Sequence, residues 1–507
     1  MSRTTGFRQL GIAGLTAALA IGTAAAAPAA FAAPITCGEE DRPFAWGDVD
    51  GDGSSDVLIG VPNVGEGSGA VDVRGTSTPW QRLTSGSLGG NQDDNDQVGT
   101  AVAVGDLDDD GCADLVVGAP GEGGSEPGHY SGQVHIVFGS PKGIDTSTAF
   151  VIPTTAAGFD RFGAALALQQ TRGNDHDLYV GAPEAKVGGK SGAGEVYRYT
   201  ITPGGSGGRV TVTAREVRSQ NSAGVPGAAE AGDRFGSVLA SVDNGLGVLA
   251  SAPEENIGTA KDAGAVWHLR VNAAGNPISS SSWSQNSPGF AGTATAGDLF
   301  GSSLSSRGNV AAIGIPGEDV AGHNNAGAVQ TLVQKANVFT PQRFVTQNTA
   351  GVPGAAETGD RFGAEVVAGS ALICQEETDL AIGSPGEDVG SRKDAGTITL
   401  VNETQLGACA SKVVRQGSGL AGAAESGDQV GSVLGITRGR DGLDEDYSDR
   451  LLIGVPYEDI GAVPNAGLVQ PLKGGITVNG KLVAGLQYPT GYLNGDYYGW
   501  SLSTPSD

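Results

Sequence analysis

Arg361-Phe362-Gly363, followed about twenty residues later by Gly383-Ser384-Pro385 and then by Gly396-Thr397-Ile398, is one copy of a pattern that recurs along the chain. The first mark returns at Gln97-Val98-Gly99, Arg161-Phe162-Gly163, Arg234-Phe235-Gly236, Leu299-Phe300-Gly301, Gln429-Val430-Gly431 and Tyr497-Tyr498-Gly499. The second returns at Gly60-Val61-Pro62, Gly118-Ala119-Pro120, Gly181-Ala182-Pro183, Ser251-Ala252-Pro253, Gly314-Ile315-Pro316 and Gly454-Val455-Pro456. Successive prolines lie 58, 63, 70, 63, 69 and 71 residues apart, room for a four-stranded sheet and its turns in each period. From the third period onward, the Gly of the third mark follows the Pro by 11 residues.

Composition agrees with many short strands joined by tight turns. The 507 residues hold 85 Gly and 24 Pro but one Met and 6% aromatics, with no triplet period of the collagen kind. Apolar runs such as Asp114-Leu115-Val116-Val117 and Leu451-Leu452-Ile453 are rich in β-branched residues and stop at Gly and Pro, so they read as buried strands. The pattern predicts an all-β fold, a seven-bladed β-propeller of four-stranded antiparallel blades. The chain starts inside a blade, at Phe44-Ala45-Trp46, and ends on a first mark without its partner. Ring closure follows as an expectation, with Tyr498 to Leu502 completing or abutting the blade that the N-terminus began; closure protects sheet edges that an open array would expose.

On these three marks, in phase seven times, the chain resembles the FG-GAP repeat family, whose members include the N-terminal propeller of integrin α chains. The resemblance covers roughly residues 37 to 507 and leaves no room for an appended catalytic domain.

Arg3 and Arg8 precede an uncharged Ala/Gly/Leu-rich stretch from Leu10 to Ala33 containing Ala30-Phe31-Ala32. This reads as a secretory signal peptide over 1–32, with the propeller occupying 33–507; the stretch is weakly apolar for a membrane span. The expected product is secreted and extracellular. Its formal charge of −26 becomes −28 without Arg3 and Arg8, which disfavours nucleic acid and anionic membrane and suits cations or basic partners. Cys37, Cys112, Cys374 and Cys409 are too dispersed for a zinc cluster, and an exported chain permits disulfides. Of three possible connectivities, pairing between neighbours is favoured: Cys37 with Cys112, and Cys374 with Cys409.

The clearest chemistry lies in two acidic nonapeptides, Asp48-Val49-Asp50-Gly51-Asp52-Gly53-Ser54-Ser55-Asp56 and Asp106-Leu107-Asp108-Asp109-Asp110-Gly111-Cys112-Ala113-Asp114. Both read D-x-D-x-D-G-x-x-D. Carboxylates at alternate positions of a turning loop converge, the sixth-position Gly permits the turn, and hard oxygen donors suit Ca²⁺. An EF-hand would need Glu at position twelve, where Ile59 and Val117 stand. The resemblance implies side-chain ligands from Asp48, Asp50, Asp52 and Asp56 with the Ser54 carbonyl, and from Asp106, Asp108, Asp110 and Asp114 with the Cys112 carbonyl. Integrin α chains carry their calcium loops in later blades, whereas these lie in the first two. Asn174-Asp175-His176-Asp177 is too short for such a loop and Asp441, Asp444, Asp446 and Asp449 have the wrong spacing; both read as turns.

A second acidic series follows the prolines at Glu122, Glu184, Glu254-Glu255, Glu318-Asp319, Glu387-Asp388 and Glu458-Asp459. It reads first as turn capping and solubility, and second as an acidic annulus for a basic partner or polyvalent cation. Catalytic signatures are poor. Gly204-Gly205-Ser206-Gly207-Gly208 lacks the helix of a nucleophile elbow, Gly189-Lys190-Ser191 lacks a phosphate loop's first Gly, and His129, His135, His176, His268 and His323 have no metal spacing. An acid/base carboxylate pair is defined in space, so a propeller hydrolase or a glycan-binding protein stays open as the alternative. The expectation is a calcium-binding interaction or adhesion module, monomeric and not an enzyme, with an extracellular protein or other cationic ligand as partner.

Overall fold

Each period supplies one strand that is apolar on both faces, because each sheet is sandwiched between two others. Val57–Val61, Asp114–Ala119, His176–Ala182, Gly247–Ala252 and Val310–Ile315 are buried at every residue. The computed structural model describes Cys37 and residues 47–502, except 76–77, 92, 124–129, 155–159, 172–173, 205–208, 244–245, 273, 374–377, 404–408, 440–447, 473–475, 479–480 and 484–494. The expected signal peptide and the Phe44-Ala45-Trp46 start lie outside the described residues, as do Cys374, His129, Ser206, Asp441, Asp444 and Asp446.

The strands form seven blades, antiparallel but for one short parallel addition in blade 6, and a separate two-stranded hairpin of Ile476–Val478 and Lys481–Val483, with no α-helix among the described residues. Blade 2 is typical, running in chain order through Ala101–Gly105, Asp114–Ala119, Gln133–Phe138 and Asp145–Val151. Blades 3, 4 and 5 repeat this order over 165–218, 239–283 and 304–345. Blade 6 adds a short fifth strand, Gly419–Leu420, and blade 7 has three strands among the described residues, Val433–Gly439, Ser448–Val455 and Leu468–Pro471. Blade 1 is closed as expected: Ser501–Leu502 pairs antiparallel with Val57–Val61, putting a C-terminal strand innermost against Ala70–Arg74 and Gln81–Leu83 further out.

The three sequence marks meet in space at the seams between blades. The Phe162 amide donates to the Ser131 carbonyl of the preceding blade, and Phe235, Phe300, Phe362, Val430 and Tyr498 donate in the same way to Ala193, Ala263, Ala326, Ala395 and Ala466, at 2.9–3.1 Å. Val98 does so with Ser68 at 3.1 Å, which completes seven seams. The ring side chains of Phe162, Phe235, Phe300, Phe362 and Tyr498 are fully buried there. Seven apolar clusters fill the seven seams, one of them joining Leu452, Val469 and Tyr498 to Val57 and Ile59 where the ring closes. At that closure the buried Arg74 guanidinium donates to the Tyr498 hydroxyl at 3.0 and 3.2 Å.

The Gly of the second mark is dictated by the same seam. A Cβ built on Gly314 would lie 2.0 Å from the Gly363 carbonyl oxygen, and one on Gly118 2.1 Å from that of Gly163. Backbone meets backbone, so no rotamer relieves the clash. Gly314→Ala should force blades 5 and 6 apart and cost ~1–3 kcal/mol, the usual range for overpacking, read as a lower denaturation midpoint at unchanged slope.

Candidate functional site

The two acidic loops each lead into the second strand of a blade, Val57–Val61 in blade 1 and Asp114–Ala119 in blade 2, and they fold alike. In the first, Asp48 accepts the amides of Asp52 at 3.2 Å and Gly53 at 2.8 Å, while Asp56 accepts that of Val49 at 2.8 Å. In the second, Asp106 accepts Asp110 at 3.1 Å and Gly111 at 2.9 Å, while Asp114 accepts Leu107 at 2.7 Å. Gly53 and Gly111 hold φ of 89° and 88°, the left-handed turn that position six requires.

Asp48, Asp50 and Asp56 bring oxygens within 4.8 Å of one another, as do Asp106, Asp108 and Asp114. Those are three of the four carboxylates expected in each loop. The fifth-position residues instead turn an oxygen inward to their own loop, Asp52 to the Ser54 amide at 2.8 Å and Asp110 to the Cys112 amide at 2.9 Å. Ser54 and Cys112 stand in the loops as read, two residues before the closing Asp. Burial, with repulsion from Asp52 and Asp50, pushes Asp48 up to about 7. Burial, with repulsion from Asp110 and Asp108, does the same to Asp106, and burial holds Asp114 well above the usual carboxylate range. The side chain of Asp108 is 6% exposed, and its Oδ1 is buried without a hydrogen-bond partner. Clustered, desolvated carboxylates with an orphaned oxygen fit a hard divalent cation.

The loops touch each other. The Ala113 amide donates to the Asp48 carbonyl at 2.7 Å, and Cys37 bonds to Cys112 while its amide donates to the Asp110 carbonyl at 3.0 Å. Cys37 also covers Gly51, where a Cβ would fall 2.5 Å from that of Cys37. The disulfide closes a separation of 75 residues, and replacing both cysteines by Ala should cost ~2–4 kcal/mol in thermal or urea unfolding. Cys409 is disulfide-bonded too; its expected partner, Cys374, lies outside the described residues.

The acidic series after the prolines is turned largely into the seams. Glu255, Glu318, Glu387 and Glu458 accept the side-chain amides of Gln220, Gln285, Gln347 and Gln416, which leave the outer edge of the preceding blade, at 2.5–2.7 Å. Glu122 is buried against Ser85 and His135 at 2.8 Å each. Asp319, Asp388 and Asp459 accept backbone amides six residues on at 2.9–3.1 Å, which is the capping role. Glu184 and Glu254 share Arg234, at 2.8 and 2.6 Å. A further series escaped the sequence reading: Asp233, Asp298, Asp360 and Asp428, each two residues before the first mark's Phe or Val, accept an amide three residues back at 2.5–2.6 Å. Their fixed place in the repeat was the signal.

Burial, with repulsion from Asp233, Asp298, Asp360 and Asp428 respectively, pushes Glu255, Glu318, Glu387 and Glu458 up to about 7. The folded chain thus holds protons that the unfolded chain releases near the ordinary Glu value of ~4.3. The stability they contribute is fully present below that value and is lost as pH rises through about 7. In EDTA, the unfolding midpoint should rise as pH falls from 8 to 5, and Glu318→Gln with Glu387→Gln should make that rise smaller.

Fold and loops together define a seven-bladed β-propeller with paired acidic turns on blades 1 and 2. Residues 98–137 match the family model for the FG-GAP repeat, so the resemblance read from the three marks is borne out. The chain is 32% identical over 163 residues to integrin alpha-6 of Gallus gallus and 34% over 165 to integrin alpha-PS2 of Drosophila melanogaster, covering 30% and 31% of this chain and 13% and 11% of those. It is 32% identical over 157 residues to the phosphatidylinositol-glycan-specific phospholipase D of Bos taurus, covering 28% of this chain and 18% of that one. The chain thus spans less than a fifth of the length of these relatives. Among solved structures, a putative 6-phosphogluconolactonase from Bacteroides fragilis aligns over 89% of this chain and 98% of its own, with 11% identity and a TM-score of 0.44. No helix among the described residues is long and apolar enough to cross a membrane.

Proposed function

We propose that this protein is a secreted, calcium-stabilised FG-GAP propeller that serves as an extracellular interaction module rather than as an enzyme. The observation that carries the reading is the pair of isostructural acidic loops, each converging three carboxylates, one of them with a buried orphaned oxygen. Asp48, Asp50 and Asp56, and Asp106, Asp108 and Asp114, would hold the ions, with Asp52, Asp110 and the Ser54 and Cys112 carbonyls as the remaining donors of each loop. A bound Ca²⁺ supplies the positive charge that lets these buried carboxylates ionise together. The protein's own part is to hold the loops in shape through the Asp48 and Asp106 amide bonds and the Cys37–Cys112 link.

The loops lie on blade 1, which the C-terminal strand closes, and on blade 2, which follows it in the chain, so cation binding would stiffen the two blades beside the place where the ends of the chain meet. Likeness to integrin α chains supports an interaction role, and the disulfides with the leader-like N-terminus support export. Strand order puts the turns after the prolines at the opposite end of the blades from the acidic loops. Exposed Glu230, Glu357, Glu425, Asp319 and Asp459 lie in those turns and in the connections entering the next blade, and suit a basic protein or other cationic ligand.

Thermal unfolding in Ca²⁺ and in EDTA tests the reading. Saturation at a hundred times the dissociation constant should add ~2.7 kcal/mol per site, and Asp48→Asn with Asp106→Asn, which keeps one of the two acceptor oxygens that each loop uses, should abolish the gain. An identical midpoint with and without Ca²⁺ would refute it.

A further inference from the structure

The second acidic loop carries a cation of its own. Arg209, which enters the outermost strand of blade 3, Val210–Arg218, reaches across to blade 2 and places its guanidinium 3.1 Å from Asp108 Oδ2 and 3.5 Å from Asp110 Oδ2. The same nitrogen lies 3.4 Å from the Gly139 carbonyl, and the guanidinium stands 5.0 Å above the Phe138 ring. The side chain is about a quarter exposed, while those of Asp108 and Asp110 are 6% and 11% exposed. An ion pair this deep is electrostatically strong, and an aromatic face beneath the guanidinium gives it a second resting place.

Arg209 leaves the site half served. It engages Asp108 through Oδ2 alone, and Oδ1 of the same carboxylate is buried without a partner. Asp106, Asp108 and Asp114 still converge within 4.8 Å, and neither Asp106 nor Asp114 has an ion pair with Arg209 within 4.0 Å. The guanidinium therefore neutralises the outer edge of the loop without filling its centre. A divalent ion at that centre and the guanidinium compete for Asp108, the carboxylate that faces both, while Arg209 also holds Asp110 at the rim.

We propose that Arg209 is a tethered counter-ion of the second loop, holding Asp108 and Asp110 in the absence of a divalent cation and yielding those contacts when one binds. This rests on the calcium reading of the loop and adds to it a built-in competitor supplied by the neighbouring blade. The loop is thereby kept folded when cation is scarce, at the expense of affinity. Occupation of the ion site leaves Arg209 with the Phe138 ring and the Gly139 carbonyl that it already meets, which couples the blade 2–blade 3 edge to cation concentration.

Calorimetric titration of the purified protein with Ca²⁺, alongside Arg209→Gln and Arg209→Lys, tests the proposal. Arg209→Gln should tighten one Ca²⁺ site by roughly tenfold, within the range typical of two coupled occupants, and leave the other unchanged. Arg209→Lys, a point charge without the fork, should fall between. Thermal unfolding supplies a second readout that affinity alone does not fix: Arg209→Gln should lower the midpoint in EDTA, and the deficit should vanish in saturating Ca²⁺. Equal Ca²⁺ affinity in wild type and Arg209→Gln, or an equal deficit with and without Ca²⁺, would overturn the role of Arg209 and leave the calcium reading standing. Absence of Ca²⁺ binding by all three proteins would remove both.

Discussion

One backbone contact, repeated at every seam, holds the ring together: the amide of a Phe, Val or Tyr that opens one blade donates to the carbonyl just before a Gly in the blade behind it. A sheet buried on both faces has no solvent to satisfy its edges, so its polar backbone must find partners in the neighbouring blade. The contact requires main chains at van der Waals distance. That is why Gly132, Gly194, Gly264, Gly327 and Gly467, where a Cβ would fall within 2.4 Å of the neighbour's backbone, admit no side chain. The Phe ring then fills the apolar seam that this approach creates, worth ~1.5–3 kcal/mol for each buried ring.

Six seams join consecutive blades, and the seventh joins the ends of the chain. Ser501–Leu502 supplies the inner strand of blade 1, and Tyr498 takes the place of Phe there, its hydroxyl meeting the buried Arg74, which also lies 3.6 Å from Asp72. The closure is thus fastened by a polar contact that the other seams lack the partner for. The acidic loops, the Cys37–Cys112 disulfide and the contact of Ala113 with Asp48 all gather on blades 1 and 2 beside this seam. The disulfide ties Cys37, ahead of blade 1, to blade 2, next to the blade in which the two ends of the chain meet.

Electrostatics divides the acids of this chain into two populations. Those in the two loops repel one another around a small volume, a geometry that asks for a cation. Four of those after the prolines, Glu255, Glu318, Glu387 and Glu458, are separated, each held by a Gln from the adjoining blade and pushed by burial up to about 7. A chain with a formal charge of −26 can pack tight seams because some of that charge is absent inside the fold at moderately acidic pH.

The number of blades, the closure by the C-terminal segment and the position of both acidic loops were legible in the sequence, since each leaves a periodic or local trace, whereas of three possible cysteine connectivities sequence only favoured the Cys37–Cys112 pairing that the fold shows. Phe-Gly and Gly-x-Pro spacing is such a trace because the seam repeats the same stereochemistry seven times. What each mark is for was decided only by tertiary structure. Nothing local shows that the Gly of one blade exists to admit the carbonyl of the next, or that Arg161, Arg234, Leu299 and Arg361 adopt φ of 55–57°, a conformation that seam bonding imposes on residues with no local preference for it. The Glu series likewise reads as a surface annulus in sequence and becomes an inter-blade hydrogen-bond system in space, because its Gln partners lie 33–42 residues away. Arg209 stands 101 residues from Asp108, and only the closing of blade 3 onto blade 2 brings its charge to the loop.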